Sequence, residues 1–220
     1  MSFGDWLNQA FSKFSAVSLS QWVMLLTLLL LGGGLAIFAR KKVKWNTRML
    51  TFASLSIALS FVLSTIRLFK MPQGGSVTPG GMLPLLIYAY AFGPVPGLMS
   101  GLVFGLLDFL QSAAPITNIW SFALDYLVGF AMVGLAGLFK GIKQQQAGLA
   151  AGIITACTAR FAASVLSGVM FYAMYAEGTG MSPFIYSCWY NGSYMLPETL
   201  ICVVLGLAVS RQILRVVKTA

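Results

Sequence analysis

Three carboxylates and one guanidinium sit where lipid would make them costly. Asp108, Asp125 and Glu198, together with Arg160, fall inside otherwise apolar runs, whereas Asp5 and Glu177 lie outside them. An ionisable group at membrane depth marks a functional site or one half of a buried pair. One cation cannot neutralise three acids, so at least one carboxylate must be protonated, hydrated or matched by a bound cation. At 1.5 Å per residue, Asp125 falls roughly 10 Å below the external end of its span. Asn191 falls at a similar depth on the last span, and Asn191, Tyr194 and Glu198 share a helical face at i, i+3, i+7. On the preceding span, Ser164, Gly168 and Tyr172 share another face. Trp120, Tyr126, Tyr172, Tyr186, Trp189, Tyr190 and Tyr194 crowd the same level.

An interfacial belt is the plain role for such aromatics, above all for Trp120 and Trp189. An acid ringed by aromatic faces also suits a flat organic cation, through charge neutralisation and cation–π contact. The residues alone therefore suggest an outward-facing pocket for a small cationic or polar aromatic ligand. The competing role for Asp125 is a structural ion pair with Arg160.

Catalysis finds little support. The chain has no histidine, the commonest general base and metal ligand. It carries no phosphate-binding GxxxxGK[ST] loop, and every lysine stands at a span end or in a loop. Cys157, Cys188 and Cys202 have no CxxC spacing, so neither a disulfide framework nor a metal site is expected. We expect no enzyme, no cofactor and no metal.

The elements that must position these groups follow from composition. Of 220 residues, 58% are hydrophobic and 9% charged, against roughly 25% charged in soluble domains. Lipid must be the solvent of such a chain. Apolar runs at 20–39, 49–69, 82–93, 96–112, 118–139, 148–176 and 185–210 predict an all-α integral membrane protein of about seven spans. The first run is followed, not preceded, by its basic cluster, so it reads as an uncleaved helix.

Ten basic residues (Arg40, Lys41, Lys42, Lys44, Arg48, Lys140, Lys143, Arg211, Arg215, Lys218) fall on one side, against Lys13, Arg67 and Lys70 on the other. The positive-inside rule then puts the N-terminus outside and the C-terminus in the cytoplasm. The net charge of +9 is thus a membrane signature; no basic face outlasts one loop, so no nucleic-acid partner is expected. Gly93-Pro94-Val95-Pro96-Gly97 predicts a tight turn between two short spans. Met71–Gly81 is long, uncharged and rich in glycine, so it reads as irregular backbone. Such backbone at membrane depth must line a cavity or be buried in protein, which makes it either a plain linker or a lid. Gly74 and Gly75 are expected to supply unusual φ angles or close backbone approach.

Four stretches, MPQGGSVTPGGMLPLLIYAYAFGPVPGLMSGLVFGLLD, LDYLVGFAMVGLAGLF, ARFAASVLSGVMFYAMYA and YSCWYNGSYMLPE, occur in an order and spacing that resembles a known family. It is the thiamine-specific S-component of energy-coupling-factor (ECF) vitamin transporters, and the resemblance covers residues 49–210. It implies a six-helix substrate-capture bundle at 49–220; residues 1–48, read as an extra transmembrane helix and a basic cytoplasmic loop, lie outside that core and depart from the family's pattern. It also implies a coupling transmembrane subunit and two cytoplasmic ATPases as partners, and a bacterial plasma membrane as location.

By position, the resemblance implies that Asp125, Tyr126, Tyr172, Tyr186 and Asn191 contact substrate. Ser164 stands where the family usually has histidine. Glu198 joins this set as the deepest acid on the Asn191 face, and Gln73, Gly74 and Gly75 form the lid. Ser54 and Ala58 make a small-xxx-small pair that suits a close helix contact; the family's matching face docks the coupling subunit, and internal packing is the alternative. The expected function is capture of thiamine or a close relative from outside. The alternatives are the same fold tuned to another vitamin or to the pyrimidine moiety of thiamine, or a membrane scaffold that transports nothing.

Overall fold

A computed structural model describes residues 43–112 and 119–219. The expected span at 20–39 and the basic residues Lys13, Arg40, Lys41 and Lys42 lie outside them. Helix α1 (Thr47–Thr65) leads to a two-residue strand β1 (Phe69–Lys70), which pairs antiparallel with β2 (Ser76–Val77). Helices α2 (Leu83–Phe92) and α3 (Pro94–Ser112) follow. The next span changes pitch three times: α4 (Ile119–Phe122), a π-helical stretch (Ala123–Val128), α5 (Gly129–Ala131) and a 3-10 stretch (Met132–Gly141). Helix α6 (Gln145–Phe171), a short 3-10 turn (Ala173–Ala176) and α7 (Pro183–Thr219) complete the bundle.

Five segments among the described residues are long and apolar enough to cross a membrane: Thr47–Thr65, Pro94–Gln111, Trp120–Gly141, Gln145–Phe171 and Pro183–Ser210. Their outward faces carry exposed Leu50, Leu55, Leu59, Leu110, Leu196 and Leu200, which only lipid or another protein can cover. Helix α2 behaves differently. It is apolar all round and buried all round, with Leu85, Leu86 and Ala89 fully enclosed, as a helix at the centre of a bundle must be. Its ten residues cover about 15 Å, half the hydrocarbon thickness. The remaining depth is made by the chain that descends to it from β2.

Three expectations change here. The tight turn predicted over Gly93–Gly97 shrinks to Gly93, whose φ is 109°, and α3 begins at once at Pro94. Prolines in a first helical turn lack only N–H groups that would have no intrahelical partner, so Pro94 and Pro96 start the helix instead of breaking it. Met71–Gly81 is not irregular throughout. It carries the turn and second strand of a hairpin, closed by Leu68 N–H to Val77 O (2.9 Å) and Met71 N–H to Gly75 O (2.7 Å). Gly74 at φ 104° makes the tip. The sixth run also ends earlier than predicted, at Phe171, with Tyr172 as its C-terminal cap.

Candidate functional site

Beneath the hairpin, α1, α3, the π-helical stretch, α6 and α7 enclose a cavity of about 160 Å³. Asp108, Asp125, Glu198 and Arg160 all line it, so the four intramembrane ionisable groups read from sequence converge on one space.

Asp125 is placed by a close helix contact. Gly97, Gly101 and Gly105 form one stripe of α3 at i, i+4, i+8. A Cβ at Gly101 would strike the Phe130 carbonyl, and one at Gly105 the Tyr126 carbonyl. Small residues let backbones approach this far in lipid, so α3 lies directly on the π-helical stretch. A π turn inserts an extra residue and re-aims the side chains around it. Here those are Asp125 and Tyr126. Ser167 Oγ on α6 donates to Asp125 Oδ2 (2.8 Å). Among the described residues no donor meets the other carboxylate oxygen, which is left to the cavity. Tyr126 stacks with Phe122 (5.9 Å between centroids) and takes the edge of Phe109 (5.3 Å).

The α6–α7 wall is held by a polar seam. Ser187 Oγ donates to the Val165 carbonyl (2.9 Å) across the helices, and Gly168 leaves room for it. Asn191, 6% exposed, donates through Nδ2 to the Ser187 carbonyl (2.9 Å) and the Ser164 carbonyl (3.4 Å), while its Oδ1 accepts from the Tyr194 hydroxyl (2.7 Å). Tyr172 donates to Ser121 Oγ (3.3 Å) and stacks on Tyr175.

The roof is latched at two levels. At the tip, Gln73 Nε2 donates to the Tyr186 hydroxyl (2.7 Å), and the Gln73 backbone N–H donates to the Tyr190 hydroxyl (3.0 Å). Gly75 lies so close to the Tyr194 ring that a Cβ would stand 2.6 Å from it. At the base, Glu198 accepts from Thr78 N–H and from Thr78 Oγ1, both at 2.6 Å, and Gly81 N–H donates to Thr78 Oγ1 (2.8 Å). Glu198 is 5% exposed. Backbone that leaves regular structure inside a bilayer must find partners in the protein, and the Glu198 carboxylate is that partner for the descent into α2.

All ten residues predicted as substrate or lid positions line the cavity: Asp125, Tyr126, Ser164, Tyr172, Tyr186, Asn191 and Glu198, with Gln73, Gly74 and Gly75 above. Their surroundings divide them. Asp125 keeps a free oxygen, whereas Glu198 has both oxygens engaged by the roof. The ion pair considered for Asp125 does not form; among the described residues Arg160 meets no carboxylate within 4.0 Å. Asp108, Arg160, Tyr190 and Tyr194, noted in the sequence but not assigned to substrate, also line the cavity. Tyr190 and Tyr194 extend Tyr186 at i+4 and i+8, a spacing legible in the sequence; the first two rings stack at 15°. Outside the site, Ser54 and Ala58 are exposed on α1 rather than packed within the described bundle.

Comparison with known proteins follows the same outline. The family profile described as Thiamine transporter protein (Thia_YuaJ) matches residues 50–218. The thiamine transporter ThiT of Bacillus subtilis is 32% identical over 145 residues, covering 61% of this chain and 74% of the relative. Its counterpart from Lacticaseibacillus paracasei is 31% identical over 137 residues, covering 56% and 68%. The solved structure of ThiT from Listeria monocytogenes superposes with a TM-score of 0.66 at 24% identity, over 74% of this chain and 93% of that one. At that identity the superposition speaks to the fold alone.

Proposed function

This chain belongs to the thiamine transporter protein family, and from that premise we propose that it captures thiamine in the cavity beneath its hairpin. It is a multi-pass membrane protein and a transport protein, not an enzyme. The observation that carries the ligand reading is the Asp125 carboxylate, oriented by Ser167 and left with one oxygen facing a tyrosine-lined space. Thiamine offers that oxygen an aminopyrimidine donor and a fixed thiazolium charge. Tyr126, Tyr172 and Tyr186 supply flat surfaces on which its rings can lie, and a cation above such a face gains about 0.5–2 kcal/mol. Asn191 has its amide engaged by Ser164, Ser187 and Tyr194. It acts by holding that wall in shape.

The roof works as a lid hinged at its base. The Glu198–Thr78 contact holds the descent into α2, while the Gln73 contacts to Tyr186 and Tyr190 break and reform as ligand passes. The protein serves as the S-component of an ECF importer, with a coupling membrane subunit docked on the exposed Ser54–Ala58 face of α1 and two ATPases supplying energy. It resides in a bacterial plasma membrane, with the C-terminus in the cytoplasm.

Titration calorimetry on the detergent-purified protein tests the ligand. Thiamine is expected to bind at least a hundredfold more tightly than its isolated aminopyrimidine. Equal affinity for both would replace thiamine with the precursor, and binding of neither would end the reading.

A further inference from the structure

A chain of net charge +9 repels the cation it would capture. Among the described residues, three of the four carboxylates, Asp108, Asp125 and Glu198, are enclosed in the cavity. At the hairpin end the basic groups stand on the α1–α3 side. Lys70 is exposed in β1, and Arg67 donates through Nη2 to the Gln111 carbonyl at the end of α3 (3.4 Å). A cation approaching over that side would meet like charge.

The fourth carboxylate, Glu177, is exposed on the opposite side, between α6 and α7. Its N–H closes the short 3-10 turn by donating to the Met174 carbonyl (3.2 Å). Gly178 and Gly180, with φ of 77° and 73°, carry the chain onward, and a Cβ at either would meet nothing within 4 Å. The loop of residues 177–182 therefore stands clear of the bundle. Among the described residues no lysine or arginine nitrogen lies within 4.0 Å of the Glu177 carboxylate, so its charge is left to solution. Tyr175, two residues earlier, is exposed as well, and its ring stacks on Tyr172 (6.1 Å, 14°), which lines the cavity. An exposed acid, an exposed ring and a cavity ring thus follow one another inward. The hairpin tip is latched on this same side, to Tyr186 and Tyr190 of α7.

We infer that Glu177 and Tyr175 form an outer station for an organic cation, met before the cavity and left behind once the ligand is enclosed. Entry then runs between the hairpin tip and the loop of residues 177–182. The inference rests on the proposed thiamine site, since only a cationic ligand gains from this station. A carboxylate attracts a cation over about 10 Å at 0.1 M salt, and an aromatic face beside it adds cation–π contact. Glu177 does not line the cavity. It therefore favours passage into and out of the site without favouring the bound state, and its loss should slow both directions by one factor.

Stopped-flow fluorescence of thiamine binding and release, in an uncharged detergent, tests this on wild type, Glu177→Gln and Glu177→Lys. At low ionic strength Glu177→Lys is expected to slow association and dissociation alike by about threefold to fivefold. Glu177→Gln should slow them less, and the dissociation constant should stay unchanged in both. The differences should vanish in about 1 M salt, where the screening length falls to about 3 Å. Rates equal to wild type at low salt would overturn the inference while leaving thiamine capture standing. A weaker dissociation constant carried by faster release would place Glu177 on the bound ligand and overturn it equally. Failure of wild type to bind thiamine would instead remove the proposed function beneath it.

Discussion

Asp125 and Glu198 are both intramembrane acids, yet their surroundings assign them opposite work. Asp125 receives one hydrogen bond, from Ser167, and keeps an oxygen toward the cavity. Replacing it with asparagine preserves shape and removes the charge that a cationic ligand would meet. A charge-assisted hydrogen bond contributes about 1.5–3 kcal/mol, so Asp125→Asn is expected to weaken thiamine binding roughly ten- to a hundredfold. The ligand-free thermal midpoint should hardly move, since no buried cation loses its partner. A large drop in that midpoint with affinity intact would return Asp125 to a structural role. Glu198→Ala should give the reverse pattern. It strips Thr78 N–H of its acceptor at membrane depth, which costs about 1–3 kcal/mol. Calorimetry beside thermal unfolding separates the two, and a Glu198 variant of unchanged stability would contradict the anchoring account.

Among elements, the hairpin and α3 matter most. The hairpin tip is tied to α7 by side-chain contacts to tyrosine hydroxyls, whereas its base is tied through a buried carboxylate. The weaker set should be the one that opens. Gln73→Ala removes the tip contact to Tyr186 and is expected to speed both binding and release of thiamine in stopped-flow fluorescence, with little change in bundle stability. Rates equal to wild type would make the roof a linker. On α3, a Cβ at Gly105 would press on the Tyr126 carbonyl. Overpacking of this kind costs about 1–3 kcal/mol. Gly105→Ala should therefore lower the thermal midpoint and, by displacing the π turn, weaken binding as well; full retention of both would deny that the α3 contact sets the site.

For the whole molecule, the proposed orientation rests on charge. Lys44, Arg48, Lys140 and Lys143 gather at one end of the bundle, and Arg67 and Lys70 mark the other, where the hairpin lies. If the basic end is cytoplasmic, as proposed, the cavity faces outward beneath its roof. Single cysteines at residues 3 and 219, in a protein whose half-exposed Cys188 is replaced, should react with impermeant reagent from opposite sides. Reaction of both from one side would leave an even number of spans and remove the helix expected at 20–39.

Much of this protein is legible before folding. Lipid as the solvent, the long spans and the buried acids follow from composition and run length, because a bilayer tolerates little else. The resemblance carried by its motifs extends to Asp125, Tyr126, Tyr172, Tyr186 and Asn191, which share one cavity. What the linear chain could not express was the partnership of each acid. Glu198 and Thr78 are 120 residues apart, and Arg160 and Asp125, a possible pair by sequence, make no ion pair among the described residues, where Ser167 is the partner of Asp125. Nor could apolar runs reveal the π turn that aims Asp125, or that Leu83–Phe92 spans only half the bilayer. Hydropathy records how much a segment prefers lipid; which donor meets which acceptor is a matter of ångströms, and only the packed helices decide it.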